Sequence, residues 1–191
     1  MNYLNDTDII ERLLLDDTEA FGLLVARYSE RVFSLVCRIC RNREDAEEVT
    51  QDVFIKVYRN IGKFRQASSF SSWIYRIAYN ASISHLRRQN PFRITELREE
   101  RLETGVREYP GDFDAGTFGR EEQLERLEKA LDSLPPDDRA LMLLFYQEDK
   151  SVREIAEIIS QSENNVKTRL HRIRKRLGNI YNNISENPGT Q

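Results

Sequence analysis

Asn164, Lys167, Thr168, His171 and Lys175 recur at helical spacing near the C-terminal end, all donate hydrogen bonds and none is acidic. A row of that kind suits base edges and phosphate oxygens. Opposite it, Val166, Leu170, Ile173 and Leu177 are spaced four, three and four apart, which at about 100° per residue gathers them into an arc of roughly 60°. The segment Glu163 to Leu177 is therefore a helix with a buried stripe and a donor face. Val152 to Ile159 reads as a shorter helix before it and Ser160 to Ser162 as the turn between them. The pair is a helix-turn-helix, whose second helix would meet nucleic acid. Ser151 and Glu154 have the spacing of a capping box, and Ser162 is placed to cap the second helix.

A second set of donors lies in the first half of the chain. Val53 to Thr95 contains no Asp or Glu, while Lys56, Arg59, Lys63, Arg65, Arg76, Arg87, Arg88 and Arg93 supply eight positive charges. Asn164 to Ser185 is likewise free of acids and holds six Lys or Arg. Solvated faces usually mix signs. In a chain of net charge -3, two stretches that exclude one sign altogether suit contact with a polyanion at two places.

Within the first of these stretches, Phe70, Trp73, Ile74, Ile77, Ala78 and Ala81 lie toward one side of a helix from Phe70 to Gln89, the expected core side. Arg76, Asn80, Ser84 and Arg87 lie toward the other. Tyr75 and Tyr79 flank that row, and the loop Lys63 to Ser69 precedes it with cations and serines. Rings beside cations stack on unpaired bases; tyrosines at a helix surface are also often half-buried packing.

A helix from Glu44 to Arg59 has different chemistry. Ala46, Val49, Val53 and Val57 define its buried side by steps of three, four and four, and the opposite side carries Glu44, Glu48, Gln51 and Ile55. An apolar residue on a polar face reads either as part of an interface or as a residue half-buried by a slight rotation of the helix. Asp45, Glu47 and Asp52 beside it make any partner there basic, which excludes nucleic acid.

The elements that must position these faces are helical. Further helices are expected at Asp6 to Leu15, Thr18 to Arg41, Arg120 to Leu134 and Pro136 to Tyr146, with a marginal one at Thr95 to Glu103. Pro91 stops the helix before it. Gly105, Pro110, Gly111, Gly116 and Gly119 then punctuate a stretch with seven acids and four bases, which reads as a flexible acidic linker. The expected architecture is all-α: two small helical domains, 1–90 and 120–191, joined by the linker 91–119. A free tether of that length would leave their relative placement open.

Other classes find little support. Cys37 and Cys40 form C-R-I-C, but they share a helical face with Phe33 and Val36 and lack further ligands, so they read as core thiols. Asp112 and Asp114 lack converging carboxylates or histidines, so no metal, cofactor, small-molecule substrate or catalytic residue is expected. The apolar run Leu141 to Tyr146 is far too short to span a membrane, and Met1 to Asp8 lacks a signal-peptide pattern; the expectation is a cytoplasmic protein.

Four motifs in order carry a resemblance: D-A-E-E-V-T-Q-D-V-F-I-K-V-Y from Asp45, S-S-F-S-S-W-I-Y-R-I-A-Y-N from Ser68, L-x-S-L-P from Leu131, and S-V-R-E-I-A-E-I-I from Ser151 followed by V-K-T-R-L-H-R-I-R-K-R-L from Val166. Together they resemble bacterial RNA polymerase sigma factors of the sigma-70 family. More narrowly they are similar to the extracytoplasmic-function group, which keeps only sigma regions two and four.

The resemblance implies the architecture just described, with 1–90 as region two and 120–191 as region four. It also implies that Asp45, Glu48, Gln51, Asp52 and Ile55 dock on the clamp helices of the largest subunit of core RNA polymerase, while the second domain meets the polymerase flap. Lys63, Arg65, Ser69, Phe70, Arg76, Asn80 and Arg87 would engage the minus-ten promoter element, with the loop holding a flipped non-template base. Asn164, Lys167, Thr168, His171, Arg172 and Lys175 would meet the minus-thirty-five element, with Lys175 on a phosphate. An anti-sigma factor, commonly membrane-bound, is the implied regulator. The chain departs from the family at Ser160 and Gln161, where Gly and an apolar residue are common, and its aromatic set for melting DNA is reduced. The competing reading is a stand-alone helix-turn-helix regulator, which explains the recognition helix equally well but not the acid-free stretch or Ile55.

Overall fold

The apolar periodicity in the first half builds a bundle around its longest helix. In the computed structural model, which describes residues 4–65, 68–89 and 120–186, every regular element is helical. The first group contains α1 (Asp6–Leu14), α2 (Glu19–Cys40), α3 (Arg43–Asn60), a short 3-10 turn (Ile61–Lys63) and α4 (Phe70–Gln89). Leu24, Val32, Val36 and Ile39 of α2 pack among Ile9 and Ile10 of α1, Ala46, Val53 and Val57 of α3, and Ile74 and Ala78 of α4, all essentially inaccessible to water. Full burial of each such Leu, Val or Ile side chain contributes about 1.5–3 kcal/mol before chain entropy is counted. Asn5 caps α1 through a reciprocal box with Asp8, and Asn42 caps α3 by accepting from the Asp45 N–H. Arg41, in the left-handed region at φ 62°, ends α2 with its N–H on the Cys37 carbonyl.

The second group is α5 (Arg120–Asp132), α6 (Pro136–Tyr146), α7 (Val152–Ile159) and α8 (Glu163–Glu186). Val166, Leu170, Ile173 and Leu177 are buried as their spacing predicts, against Leu141 and Leu144 of α6 and Ile155 and Ile158 of α7. The expected box at Ser151 and Glu154 caps α7, and the Ser162 hydroxyl accepts from the Asn165 N–H at 3.3 Å. Most helix ends fall within one or two residues of expectation, and one boundary differs by more. The recognition helix runs to Glu186 rather than stopping at Leu177, because Ile180 and Tyr181 beyond Gly178 add to the apolar stripe that meets α5.

The two groups are not held apart. Their buried side chains form one continuous cluster, with α4 against α7 and α2 against α6. Residues 91–119, including the expected helix at Thr95 to Glu103, Arg93, Asp112 and Asp114, lie outside the described residues. Both thiols are free. Cys40 is buried, and burial together with the Asp45 charge pushes its thiol up to about 11, against an opposing Ser82 hydrogen bond. Among the described residues no group of three or more His, Cys, Asp or Glu could hold a metal ion, and no helix is long and apolar enough to cross a membrane.

Candidate nucleic-acid and partner interfaces

On α3 the helix is not rotated to hide its apolar outlier. Ile55 is 47% exposed while Val53 and Val57 are buried. Glu48 and Gln51 are exposed beside it, and Asp52 is half-buried, its carboxylate 4.0 Å from the Lys56 ammonium. The patch also contains a residue that the sequence reading missed: Tyr58, equally exposed, whose ring meets Phe21 edge-on with centroids 5.0 Å apart. Its signal was available, since Gln51, Ile55 and Tyr58 step by four and three. Asp45 points elsewhere. Its carboxylate accepts from Gln89 Nε2 at 3.0 Å and lies 3.2 Å from His85 Nε2, which fastens α3 to α4 rather than joining the outer patch.

The segment from Lys63 into α4 is organised around rings. Phe64, Phe70 and Trp73 form a cluster with centroids 5.4 to 5.7 Å apart, and Tyr28 meets Phe70 at 5.3 Å. Phe70 is only 3% exposed, so it acts as the floor of this segment, whereas Lys63, Arg65 and Ser69 are exposed above it. A cleft of about 390 Å³ opens there, walled by Phe64, Ser68, Ser69 and Phe70 on one side and by Asp6, Thr7 and Ile10 of α1 on the other. The Asp6 carboxylate is held by Arg27 and by the Tyr28 hydroxyl, each at 2.5 Å. Burial, and then the Asp6 charge and hydrogen bond, drive the Tyr28 hydroxyl well above its ordinary range. No periodicity could have announced Asp6 and Thr7, because the residues they face, Phe64 and Ser68 to Phe70, lie far along the sequence.

Along α4, Arg76, Asn80, Ser84 and Arg87 are all exposed, as their spacing predicts. The two tyrosines beside them are not surface platforms. Tyr75 is fully buried and Tyr79 8% exposed, because α6, α7 and the turn between them cover that flank. The Tyr75 hydroxyl donates to Glu148, which also accepts from Arg31 at 3.0 Å. Ser72 donates to Glu154 at 3.0 Å, Tyr79 to Asp137 at 3.3 Å, and Arg76 to Ser160 Oγ at 3.3 Å. Lys150 completes the seam, 2.6 Å from Ser71 Oγ and 3.3 Å from Glu154. Burial works to raise the Glu154 carboxyl, but bonds from the Ser151 N–H, the Ser151 hydroxyl and Ser72, with the Lys150 charge, hold it down at about 2.

The recognition helix α8 presents its row outward. Asn164, Lys167, Thr168, His171 and Arg172 are exposed and Lys175 is half-buried. The Thr168 hydroxyl donates back to the Asn164 carbonyl at 2.9 Å, the usual fate of a helical threonine. Two further cations of this helix are structural: Arg169 pairs with Asp138 at 2.7 Å, and Arg174 lies over the rings of Phe145 and Tyr146.

Against known proteins, the family model for sigma-70 region 2 matches residues 24–92 and that for sigma-70 region 4 matches residues 124–177. The ECF RNA polymerase sigma-E factor of Haemophilus influenzae is 33% identical over 187 residues, covering 92% of this chain and 95% of that protein. The chain belongs to the ECF sigma factors. The sigma-E factor of Escherichia coli K12 is also 33% identical, covering 92% of this sigma factor and 94% of that protein. The RNA polymerase sigma-H factor of Pseudomonas aeruginosa is 30% identical, with 90% and 91% covered. Two solved structures share the fold: the sigma factor RpoE bound to the anti-sigma factor NepR from Bartonella quintana (TM-score 0.62, 21% identity, 85% of this chain and 97% of that one) and CnrH bound to the cytosolic domain of CnrY (0.65, 23%, 91% and 95%). This sigma factor is thus an alternative sigma factor that directs transcription. The stand-alone regulator, which the recognition helix alone would equally allow, is not favoured.

Proposed function

We propose that this sigma factor works without catalysing a reaction, in the cytoplasm, by fixing core RNA polymerase to promoter DNA through three separate surfaces. The observation that carries the assignment is the exposed patch Glu48, Gln51, Ile55 and Tyr58: an apolar centre rimmed by acids on an otherwise well-packed helix. A DNA-binding regulator has no use for it, while the basic clamp helices of a polymerase complement it in both charge and hydropathy. Asp52 joins this surface. Asp45 supports it from behind.

The minus-ten element would lie along Lys63, Arg65 and Ser69 and the exposed row Arg76, Asn80 and Arg87, with Phe70 as the floor of the cleft. A cleft with aromatic walls and hydroxyl edges suits a base turned out of the stack. The minus-thirty-five element would meet Asn164, Lys167, Thr168, His171 and Arg172, with Lys175 on a phosphate. The division into 1–90, 91–119 and 120–191 belongs to the same proposal, as do the polymerase flap as a contact of the second group and an anti-sigma factor as regulator.

Run-off transcription with purified core polymerase tests the whole. Promoter-specific transcripts are expected only when the protein is added. Operator binding without polymerase, and no core-dependent initiation on any enriched promoter, would overturn it. For the first surface, Ile55→Glu combined with Gln51→Ala should weaken core binding at least about tenfold, the scale of losing one central apolar anchor. Binding of a minus-thirty-five duplex in the absence of polymerase should stay unchanged.

A further inference from the structure

On α4 the seam between the two helical groups is mostly a donor surface, the exception being Ser71, whose hydroxyl accepts from Lys150 of the second group at 2.6 Å. Every side chain of α4 that donates into it, Ser72, Tyr75, Arg76 and Tyr79, comes from the stretch without a single acid. Three of the four acceptors are carboxylates of the second group: Glu154, Glu148 and Asp137. The fourth is the Ser160 hydroxyl, in the turn before the recognition helix. Glu148 is the most committed of these. Its side chain is 5% exposed and accepts from Tyr75 and from Arg31. Hydroxyl and guanidinium donors spaced along a helix, facing anionic oxygens, form the arrangement by which proteins grip a phosphate backbone.

We propose that Asp137, Glu148 and Glu154 occupy on α4 the positions that DNA phosphate oxygens take, so that closure of the second group on α4 and nucleic-acid binding by this strip exclude one another. The inference rests on the reading that α4 faces promoter DNA. It adds a covered extension to the exposed row of Arg76, Asn80 and Arg87, with Tyr79 and Ser72 as further donors and an unpaired strand as the ligand. The blocking is unequal between the two DNA surfaces. The donor row of α8 and the α4 residues Arg76, Asn80 and Arg87 stay exposed in the closed form while Ser72, Tyr75 and Tyr79 are covered, so closure removes the covered extension of the α4 surface and leaves the recognition helix available. A competing ligand must displace three carboxylates, and the apparent affinity of the strip falls by the fraction of molecules that are open.

The test uses the full chain and a mixed-sequence 12-nucleotide single-stranded DNA. Glu148→Gln and Asp137→Asn keep size and hydrogen-bonding capacity but remove the negative charge. The double variant should bind the oligonucleotide about tenfold tighter than wild type, the scale of losing one buried charge-assisted hydrogen bond. Amide hydrogen exchange in α4 and α7 should accelerate by a similar factor while α1 to α3 keep their protection. In the wild type, saturating oligonucleotide should itself deprotect α7, a measurement that needs no variant. Unchanged oligonucleotide affinity alongside faster exchange in the double variant would show that the strip opens but does not take nucleic acid, and would overturn the proposal. Unchanged exchange in α7, both in the variant and in wild type with DNA, would overturn it equally. Run-off transcription by wild type, read in parallel, separates this failure from failure of the promoter-facing role of the chain.

Discussion

Ser160 and Gly178 each stand where the other residue type would be easier to accommodate. Ser160 ends α7 in the left-handed region at φ 55°, a conformation that costs a non-glycine residue about 1 kcal/mol or more. Among the described residues its hydroxyl accepts only the 3.3 Å bond from exposed Arg76. Ser160→Gly is therefore expected to stabilise the protein by about 1 kcal/mol, a rise in Tm of about 2–4 °C by thermal unfolding. Gly178 lies inside α8, where an added Cβ meets nothing within 4 Å. Gly178→Ala should stabilise by about 0.5–1 kcal/mol, seen as a higher urea midpoint at unchanged slope. The same glycine explains a misjudged boundary. After a finished stripe ending at Leu177 a glycine reads as a stop, and only the packing of Ile180 and Tyr181 against the body shows that the helix continues.

At the scale of elements, a residue that ties three of them together is Arg139, 3% exposed in the first turns of α6. Its guanidinium donates to the carbonyls of Leu131, Asp132 and Leu134 at the end of α5 and to that of Arg38 near the end of α2. Four carbonyls at helix ends thus share one buried cation, with the α2 bond crossing between the two groups. Burial, with the nearby Arg41 charge, lowers the guanidinium to about 10, against the pull of Asp132, and it stays charged at neutral pH. Arg139→Met should cost about 3 kcal/mol, since the stranded carbonyls lose their donor; denaturant unfolding reads this directly. Nothing in P-P-D-D-R-A announces that role, because a first turn with two acids and an arginine looks like a solvated helix start. The contrast marks what a sequence makes legible here. Helices, caps and stripes such as Ala46, Val49, Val53 and Val57 follow from neighbours within one or two turns. The commitments of Asp45 to His85, of Tyr75 to Glu148 and of Arg139 to Arg38 depend on partners 40 to 101 residues away, and periodicity carries no information about them.

For the whole molecule, the decisive arrangement is that two groups expected on a free tether share one core and a polar seam, and that one carboxylate of this seam, Glu154, is held well below its ordinary range. Glu154 both caps α7 through Ser151 and reaches Ser72 of α4, with Lys150 beside it. Its carboxyl lies at about 2 in the folded chain against an ordinary 4.5. A depressed carboxyl contributes stability that is fully present above the unfolded value and is lost as the pH falls through the folded one. The contribution should therefore be constant from pH 8 to 5, decline below about 4.5 and be gone near 2. Glu154→Gln lacks the ionisation throughout. The stability gap between wild type and this variant, from urea unfolding at each pH, should be flat above pH 5 and close toward zero by pH 2. Near-ultraviolet circular dichroism should report loss of the seam over the same range, because Tyr75 and Tyr79 leave their asymmetric surroundings when α7 separates from α4. A gap that persists undiminished at pH 2 would mean that the carboxylate charge is not what holds this end of the seam.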